Sequence, residues 1–480
     1  MRTYLAVYLG STVLAILATA IVIHVARRFH IVDIPGVRKV HSKPIPRIGG
    51  VAIFISMIGV VLPVLLLPNV IGETFRLVQS KIITLLGAAG LMFFVGLIDD
   101  IKGLRVRTKF LAQLVSAIVV CSVGIRIESI PVTASFTIHL GWFSWLFTLV
   151  WIVGITNAIN LSDGLDGLAA GISAIACGVI GVLGIYNGDT IMAILMLALL
   201  GSLTGFLLFN FEPAKTFMGD SGSLFLGFII ASASILSATK TETIVGLALP
   251  ILALGIPIFD TLFSMLRRFL ERRSLFSPDR SHFHHRLLAL GLRQRHVVLT
   301  AYLVTLLAAG LGMFMLVTRN SQTLVIFICS LLLLVLVFRV VGSIRLRDTI
   351  AGIKRKHTIT SQKKQELEAF EKIELHFRQV EKFDEWWQAV CFAADEMDFA
   401  SSSLRLIRRS GAEKTLVWKK DNGTTQTNEM VRMIVPVRDR RTDSSLNIEV
   451  QVYANGSLES VGRRLTLFGR LIEKYSVANL

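Results

Sequence analysis

The sequence predicts an all-α polytopic membrane protein of about 11 transmembrane helices, followed by a small C-terminal cytoplasmic α+β domain. Three observations predict it. Of 480 residues, 53% are hydrophobic and the mean hydropathy is +0.64, more apolar surface than a soluble fold would hide in its cores. Apolar runs of about 17 to 22 residues, the length needed to cross a hydrocarbon layer, recur through the first two thirds of the chain. Basic residues collect in alternate loops between them.

The first run, Tyr4 to Val25, passes into Ala26-Arg27-Arg28 without a small-residue cleavage pattern behind a basic start, so it reads as an uncleaved span. Further runs lie near 50–69, 82–98, 109–125, 141–159, 168–186, 190–209, 222–239, 244–265, 298–317 and 322–341. With the first loop inside, the inside loops hold Arg27, Arg28, Arg38, Lys39, Lys43, Arg47, Lys102, Arg105, Arg107, Lys109, Lys215 and the arginines between Arg267 and Arg295. The opposite loops hold only Arg2, Arg76, Lys81, Arg126, Lys240 and Arg319. This asymmetry sets the N-terminus outside and, with an odd number of spans, the C-terminal tail inside. It also accounts for the formal charge of +17 without a nucleic-acid partner. Cys121, Cys177, Cys329 and Cys391 are far apart, three of them in apolar spans, so they read as packing residues and not as a disulfide or metal framework.

The organisation expected is a membrane domain over 1–341, a charged linker or helix over 342–385 and an α+β domain over 386–480. In the last, Trp386 and Trp387 lie on an amphipathic helix. Ser403 to Arg408, Thr415 to Lys419, Val431 to Val437 and Ile448 to Tyr453 read as strands, and Ser457 to Tyr475 as a closing helix. No internal repeat or low-complexity tract is visible, and the role of this tail is not legible.

Four segments of high polar density fall at expected cytoplasmic helix ends. Gly96-Leu97-Ile98-Asp99-Asp100 ends the third span with paired carboxylates, followed by Arg105, Arg107 and Lys109. Standing alone, it would also pass for the start of a solvated loop. Asn157-Ala158-Ile159-Asn160-Leu161-Ser162-Asp163-Gly164-Leu165-Asp166-Gly167 packs two amides and two carboxylates between two spans, with glycines that let backbone approach a ligand closely. A plain tight turn needs none of those asparagines. Phe217-Met218-Gly219-Asp220-Ser221-Gly222-Ser223 places Asp220 at a helix start, where it serves either as a cap or as the one carboxylate of a divalent cation that bridges phosphates. Pro278-Asp279-Arg280-Ser281-His282-Phe283-His284-His285-Arg286 offers three histidines for zinc, but no conventional ligand spacing, and its arginines favour a phosphate. Carboxylates, amides and bases on one membrane face point to phosphoryl chemistry on an anionic, metal-chelated substrate.

With these motifs the chain, over about residues 1–340, resembles the polyprenyl-phosphate N-acetylhexosamine-1-phosphate transferases of glycosyltransferase family 4. The resemblance is to the WecA-like and TagO-like branch and, more distantly, to MraY-type enzymes. It implies transfer of N-acetylhexosamine 1-phosphate, first of all GlcNAc 1-phosphate, from a UDP-sugar to polyprenyl (undecaprenyl) phosphate at the inner membrane, with UMP released. The transfer would begin a cell-envelope polysaccharide. It implies Mg²⁺, or Mn²⁺, on Asp220 and Asn160, and a base or lipid-phosphate positioning role for Asp99 and Asp100. Lys109 is implied near phosphate, and Asn157, Asp163 and Asp166 in the nucleotide and active-site loop. His282, His284, His285 and Arg286 are implied at the sugar-phosphate side, and Lys43 and Arg47 in the basic first loop. Asp260, ionisable inside the ninth span, draws functional suspicion without an assigned role. A homodimer, or a following glycosyltransferase docked on the tail, is a further partner expectation. The rival reading is a multi-span transporter with a cytosolic regulatory domain, which would place its polar groups near the midplane instead.

Overall fold

The computed structural model describes residues 1–33, 44–66, 70–133, 136–239, 245–271, 282–318, 322–341, 370–407, 413–420, 430–438, 445–453 and 458–475. The chain divides into two compact units, Met1–Thr349 and Ile350–Leu480.

The first unit is helical, and each expected apolar run forms helix. Helices α1 (Arg2–Arg28), α2 (Gly50–Leu66), α3 (Val70–Lys102), α4 (Val106–Ser122) and α5 (Phe143–Ser162) are followed by α6 (Leu168–Tyr186), α7 (Thr190–Asn210) and α8 (Gly219–Thr239). Then come α9 (Val245–Ala253), α10 (Gly255–Leu270), the short α11 (Phe283–Ala289), α12 (Gln294–Thr318) and α13 (Gln322–Val340). Two small antiparallel hairpins join them: β1 (Val32–Asp33) with β2 (Ile45–Pro46), and β3 (Ser129–Thr133) with β4 (Phe136–His139).

The chain is a multi-pass membrane protein, and length and apolar composition alone account for fewer than the 11 spans expected. Among the described residues eight helices are long and apolar enough to cross a membrane, or nine if α9 and α10 form one bent span. The runs expected near 50–69 and 109–125 account for the difference. Helices α2 and α4 have 17 residues each, about 25 Å at 1.5 Å per residue, which is the lower end of the range that crosses a hydrocarbon layer and places the ends of α3, α4 and α5 on one face. The run at 244–265 is not one straight span: α9 and α10 meet at 76°. Pro257 explains the break, because it has no N–H to give the Ala253 carbonyl, and helix hydrogen bonding restarts beyond Leu254. As the third residue of α10, it sits where no intrahelical donor is missed.

Helices α6, α7 and α8 form the centre, with buried Ala174, Ile180, Leu199, Phe206, Phe225 and Phe228 in one apolar cluster. Helix α8 is rich in Gly, Ala and Ser, small side chains that let neighbouring helices approach without a hydrophobic driving force from lipid. It packs against α2, α3, α5 and α6 together, so its N-terminus is surrounded by the ends of other helices.

In the second unit four antiparallel strands, β5 (Phe399–Ile407), β6 (Glu413–Lys419), β7 (Met430–Arg438) and β8 (Ser445–Tyr453), form a sheet in the order β6-β5-β8-β7. Alternation sends Ile448, Val450 and Val452 to one face, where they meet residues of helical segment 370–378, of α14 (Phe383–Glu396) and of α15 (Leu458–Lys474). Trp386 is buried there and donates its indole N–H to the Tyr475 carbonyl at 2.7 Å. The strands and closing helix expected from alternation are therefore present, with longer strands than the pattern suggested. Residues 370–378 contribute Ile373 and Phe377 to this core.

Candidate active site

Successive helices in the first unit run up and down, so the C-terminus of one lies beside the N-terminus of the next. The polar motifs occupy those alternating ends. Asp99 and Asp100 lie at the end of α3, Lys109 in the first turn of α4, Asn157 and Asn160 in the last turns of α5, and Asp220 in the first turn of α8.

Asp220 joins them. The Asp100 carboxylate accepts the backbone N–H of Asp220 on Oδ1 and that of Ser221 on Oδ2, both at 2.9 Å. These two N–H groups are orphans of the first turn of α8, so Asp100 caps that helix from another chain segment. The neighbouring backbone leaves no room for larger residues. Gly219 has a φ of +72°, and a Cβ there would strike the Arg47 carbonyl and the Asp100 carboxylate; a Cβ on Gly96 would strike the Asp220 carbonyl. Residues 46–50 are laced to the same loop, as Phe217 N–H donates to the Pro46 carbonyl at 2.7 Å, Gly49 N–H to Phe217 at 2.9 Å and Gly50 N–H to Met218 at 2.8 Å. Arg47 donates to the Asp100 carbonyl from this segment.

Lys109 bridges two carboxylates. Its ammonium is 2.7 Å from Asp220 Oδ2 and 3.0 Å from Asp99 Oδ2, while Asp99 Oδ1 accepts the Leu104 N–H at 2.5 Å. Asn160 donates to Asp220 Oδ1 at 3.2 Å and to Ser223 Oγ at 2.8 Å. Asn157 turns aside to exchange amide hydrogen bonds with Gln113, at 2.7 and 3.3 Å.

A cavity of about 890 Å³ opens beside this network, lined among others by Arg47, Asp100, Asp163, Asp166, Asp220 and His285. Burial first, and then the charges of Asp220, Asp100 and Asp166, push the Asp163 carboxyl up to about 8. Asp166 accepts the Ala214 N–H at 3.0 Å, and Asn210 accepts the Gly167 N–H at 3.1 Å, which binds the 163–167 loop to the end of α7. The Tyr302 hydroxyl donates to the Gly167 carbonyl at 2.5 Å.

The histidines stand in a row. His282 and His284 stack with ring centroids 5.8 Å apart, and His284 lies 4.4 Å from His285. The His284 ring closes on Gly164, where a Cβ would come within 3.0 Å of Nε2. Burial, reinforced by the adjacent His285, pushes the His284 imidazole down to about 4, so it is neutral at pH 7. Behind them His282 Nδ1 is 2.9 Å from Asp260 Oδ2.

Of the residues singled out from sequence, Asp99, Asp100, Lys109, Asn160 and Asp220 share one hydrogen-bonded network. Asp163, Asp166, Arg47 and His285 share the cavity with Asp100 and Asp220. His284 touches the 163–167 loop, whereas His282 is turned toward Asp260, and the buried Arg286 Nε has no hydrogen-bond partner among the described residues. Lys43 lies outside the described residues. Sequence reasoning passed over Gln113, Asn210 and Tyr302, although an amide inside an apolar run is a signal of its own, since it must find a partner there.

Among the described residues no three His, Cys, Asp or Glu side chains form a closed metal cage, so the histidine row does not assemble the zinc site considered as an alternative. A more open site fits Asp220 and Asn160. Mg²⁺ takes one or two carboxylates and completes its shell with substrate oxygens and water. The charge crowding felt by Asp163 suits it, and rotation of the Asn160 amide would present oxygen in place of nitrogen.

Comparison with known proteins adds a family to this geometry. Glycosyl transferase family 4 matches residues 82–238, from within α3 almost to the end of α8. A probable undecaprenyl-phosphate N-acetylglucosaminyl 1-phosphate transferase of Bacillus subtilis is 38% identical over 300 residues, 62% of this chain and 80% of the relative. A decaprenyl-phosphate N-acetylglucosaminephosphotransferase of Mycobacterium tuberculosis is 37% identical over 326 residues, 63% of this chain and 80% of its own. The undecaprenyl-phosphate alpha-N-acetylglucosaminyl 1-phosphate transferase of Escherichia coli is 28% identical over 300 residues, 60% of this chain and 77% of its own.

Proposed function

Because the chain belongs to glycosyl transferase family 4, we propose that it transfers N-acetylglucosamine 1-phosphate from UDP-N-acetylglucosamine to a polyprenyl phosphate, releasing UMP. One observation carries the reading: Asp220 is tied at once to Asp100, Lys109 and Asn160, three motif segments that the chain separates widely, beside a cavity of about 890 Å³. That volume falls in the range of small-molecule sites. A transporter gains no support from polar groups gathered at helix ends away from the midplane.

The reaction exchanges one pyrophosphate for another. An oxygen of the lipid phosphate forms a bond to the sugar-bearing phosphorus, the bond from that phosphorus to the bridging oxygen breaks, and UMP departs with the electron pair. Two anions must meet, and four charge pairs near 5 Å oppose this by roughly 3 kcal/mol in water and several times more at an effective dielectric near 20. Lys109 and Arg47 offset that repulsion from the protein side. Mg²⁺ held by Asp220 and Asn160 would supply Lewis-acid charge at the diphosphate.

A phosphate monoester loses its second proton near pH 6, so the acceptor needs little help to become a nucleophile. The carboxylates are engaged accordingly. Both oxygens of Asp100 hold the Asp220 loop, and Asp99 holds Lys109, so we assign the pair to positioning and favour a single in-line displacement over an aspartyl intermediate. The 163–167 loop and the histidine row form the donor side of the cavity.

The donor is cytosolic in this reading, which places the motif ends and the C-terminal unit at the cytoplasmic face of the inner membrane and the N-terminus outside. The product would start a cell-envelope polysaccharide. Membranes containing the protein, given labelled UDP-N-acetylglucosamine and polyprenyl phosphate, are expected to yield lipid-extractable label and UMP in equal amounts. Label that stays water-soluble, or is trapped in sealed vesicles without UMP, would overturn the proposal.

A further inference from the structure

We infer that Asp260 is a positioning residue for the donor side of the reaction, acting through His282 on the histidine row. The inference rests on the transferase reading above and assigns a side chain that reading does not use.

An ionisable group in a membrane helix is costly to bury and persists where something requires it. Asp260 lies in α10, six residues beyond the break at Leu254, and is 6% exposed. Its two oxygens are both committed to the histidine segment. Oδ1 accepts the Phe283 N–H at 2.7 Å, and Oδ2 is 2.9 Å from His282 Nδ1. One side chain thus fixes both the backbone at the start of α11 and the ring of the residue before it. With the Asp260 oxygen as acceptor, His282 Nδ1 is the donor of this pair, and the contact fixes the plane of the ring. The orientation passes along the row: His282 stacks on His284 with planes 5° apart, His284 closes on Gly164, and His285 lines the cavity. A plain packing role would need neither oxygen placed so.

Asp260→Asn discriminates well. The asparagine keeps an oxygen for Phe283 N–H but offers an amide N–H to Nδ1, which forces the opposite tautomer, the kind of defect that preserves a fold and removes turnover. We expect kcat/KM for UDP-N-acetylglucosamine to fall by about 10- to 100-fold, as for other groups that orient a functional histidine, while KM for polyprenyl phosphate stays unchanged. Asp260→Glu, which restores the carboxylate, should recover part of the loss. His282→Ala should lose a similar factor, and adding Asp260→Asn to it should cost little more, because the two act as one unit.

Multiplicative losses in the double variant, or parallel rises in both KM values, would overturn the role assigned to Asp260. Failure of the unsubstituted protein to form lipid-linked product and UMP would instead overturn the transferase reading, so the two failures are distinguishable.

Discussion

Asp100 holds the backbone of Asp220: its carboxylate spans the N–H groups of Asp220 and Ser221, each at 2.9 Å. The paired aspartates therefore do different work despite being adjacent. An amide at position 100 would turn an NH₂ toward one of those N–H groups and leave a buried donor without an acceptor, at a cost of about 1–3 kcal/mol. Asp100→Asn is expected to lower the melting temperature in detergent as well as the activity. Asp99→Asn, which keeps an acceptor for Leu104, should lose activity with a smaller change in melting temperature. Equal melting temperatures for both variants would refute the division of roles.

Asp220 is the single carboxylate in its motif, and Lys109 lies against it at 2.7 Å. Asp220→Asn is predicted to insert normally and to lose nearly all activity, because it removes the one negative charge that this motif offers a divalent cation. Retained turnover at saturating Mg²⁺ would refute the metal assignment. Lys109→Met should also be inactive, yet it should bind Mg²⁺ more tightly, since a competing positive charge is gone from Asp220. The midpoint of Mg²⁺-dependent thermal protection measures this, and a weaker midpoint would contradict it.

Much of this site was legible in sequence because membrane helices announce their ends. An apolar run must stop near the bilayer surface, so Asp99, Asp100, Asn160 and Asp220 could be placed on one face by counting spans. Counting does not reveal which atoms meet. The capping of α8 by Asp100, the pairing of Gln113 with Asn157 and that of Asp260 with His282 join residues 22 to 121 positions apart, through side-chain directions that no periodicity encodes. The break between α9 and α10 was missed, because Pro257 lies inside an apolar run that reads as one span; a proline there either bends a span or ends it, and only neighbouring helices decide.

Helix α3 contains its own control. A Cβ on Gly96 would strike the Asp220 carbonyl, whereas one on Gly90 meets nothing within 4 Å. Gly90→Ala should leave activity unchanged and add about 0.5–1 kcal/mol of helix stability. Gly96→Ala must push α3 away from α8, at about 1–3 kcal/mol for overpacking, and should abolish the alignment of Asp99 with Lys109. Comparable activity in the two variants would show that the α3–α8 approach is not needed for transfer.

Acid should loosen the site through His284. Its native imidazole titrates near 4, below the ordinary value of 6.5, so the unfolded chain binds this proton first as pH falls. The contribution to stability is complete above about pH 6.5 and is lost as pH drops toward 4, on the order of 3 kcal/mol in all. Between pH 7.5 and 4.5 the melting temperature of the donor-free protein should therefore fall more steeply than that of His284→Gln. Parallel slopes would mean that the ring is already solvated, and rescue of His284→Ala turnover by zinc would revive a metal role for the row.

The C-terminal unit has a core of its own, closed by Trp386, Phe399, Phe468 and Ile472, and the residues assigned to the reaction all precede Thr349. A unit with a separate core contributes to its neighbour only through contacts or recruitment. Ending the chain after Thr349 is expected to leave the transfer rate and both KM values of the purified membrane unit unchanged, while any docking of a following glycosyltransferase would be lost with the tail. A truncated protein that inserts and melts normally but turns over slowly would show instead that the tail completes or regulates the active site.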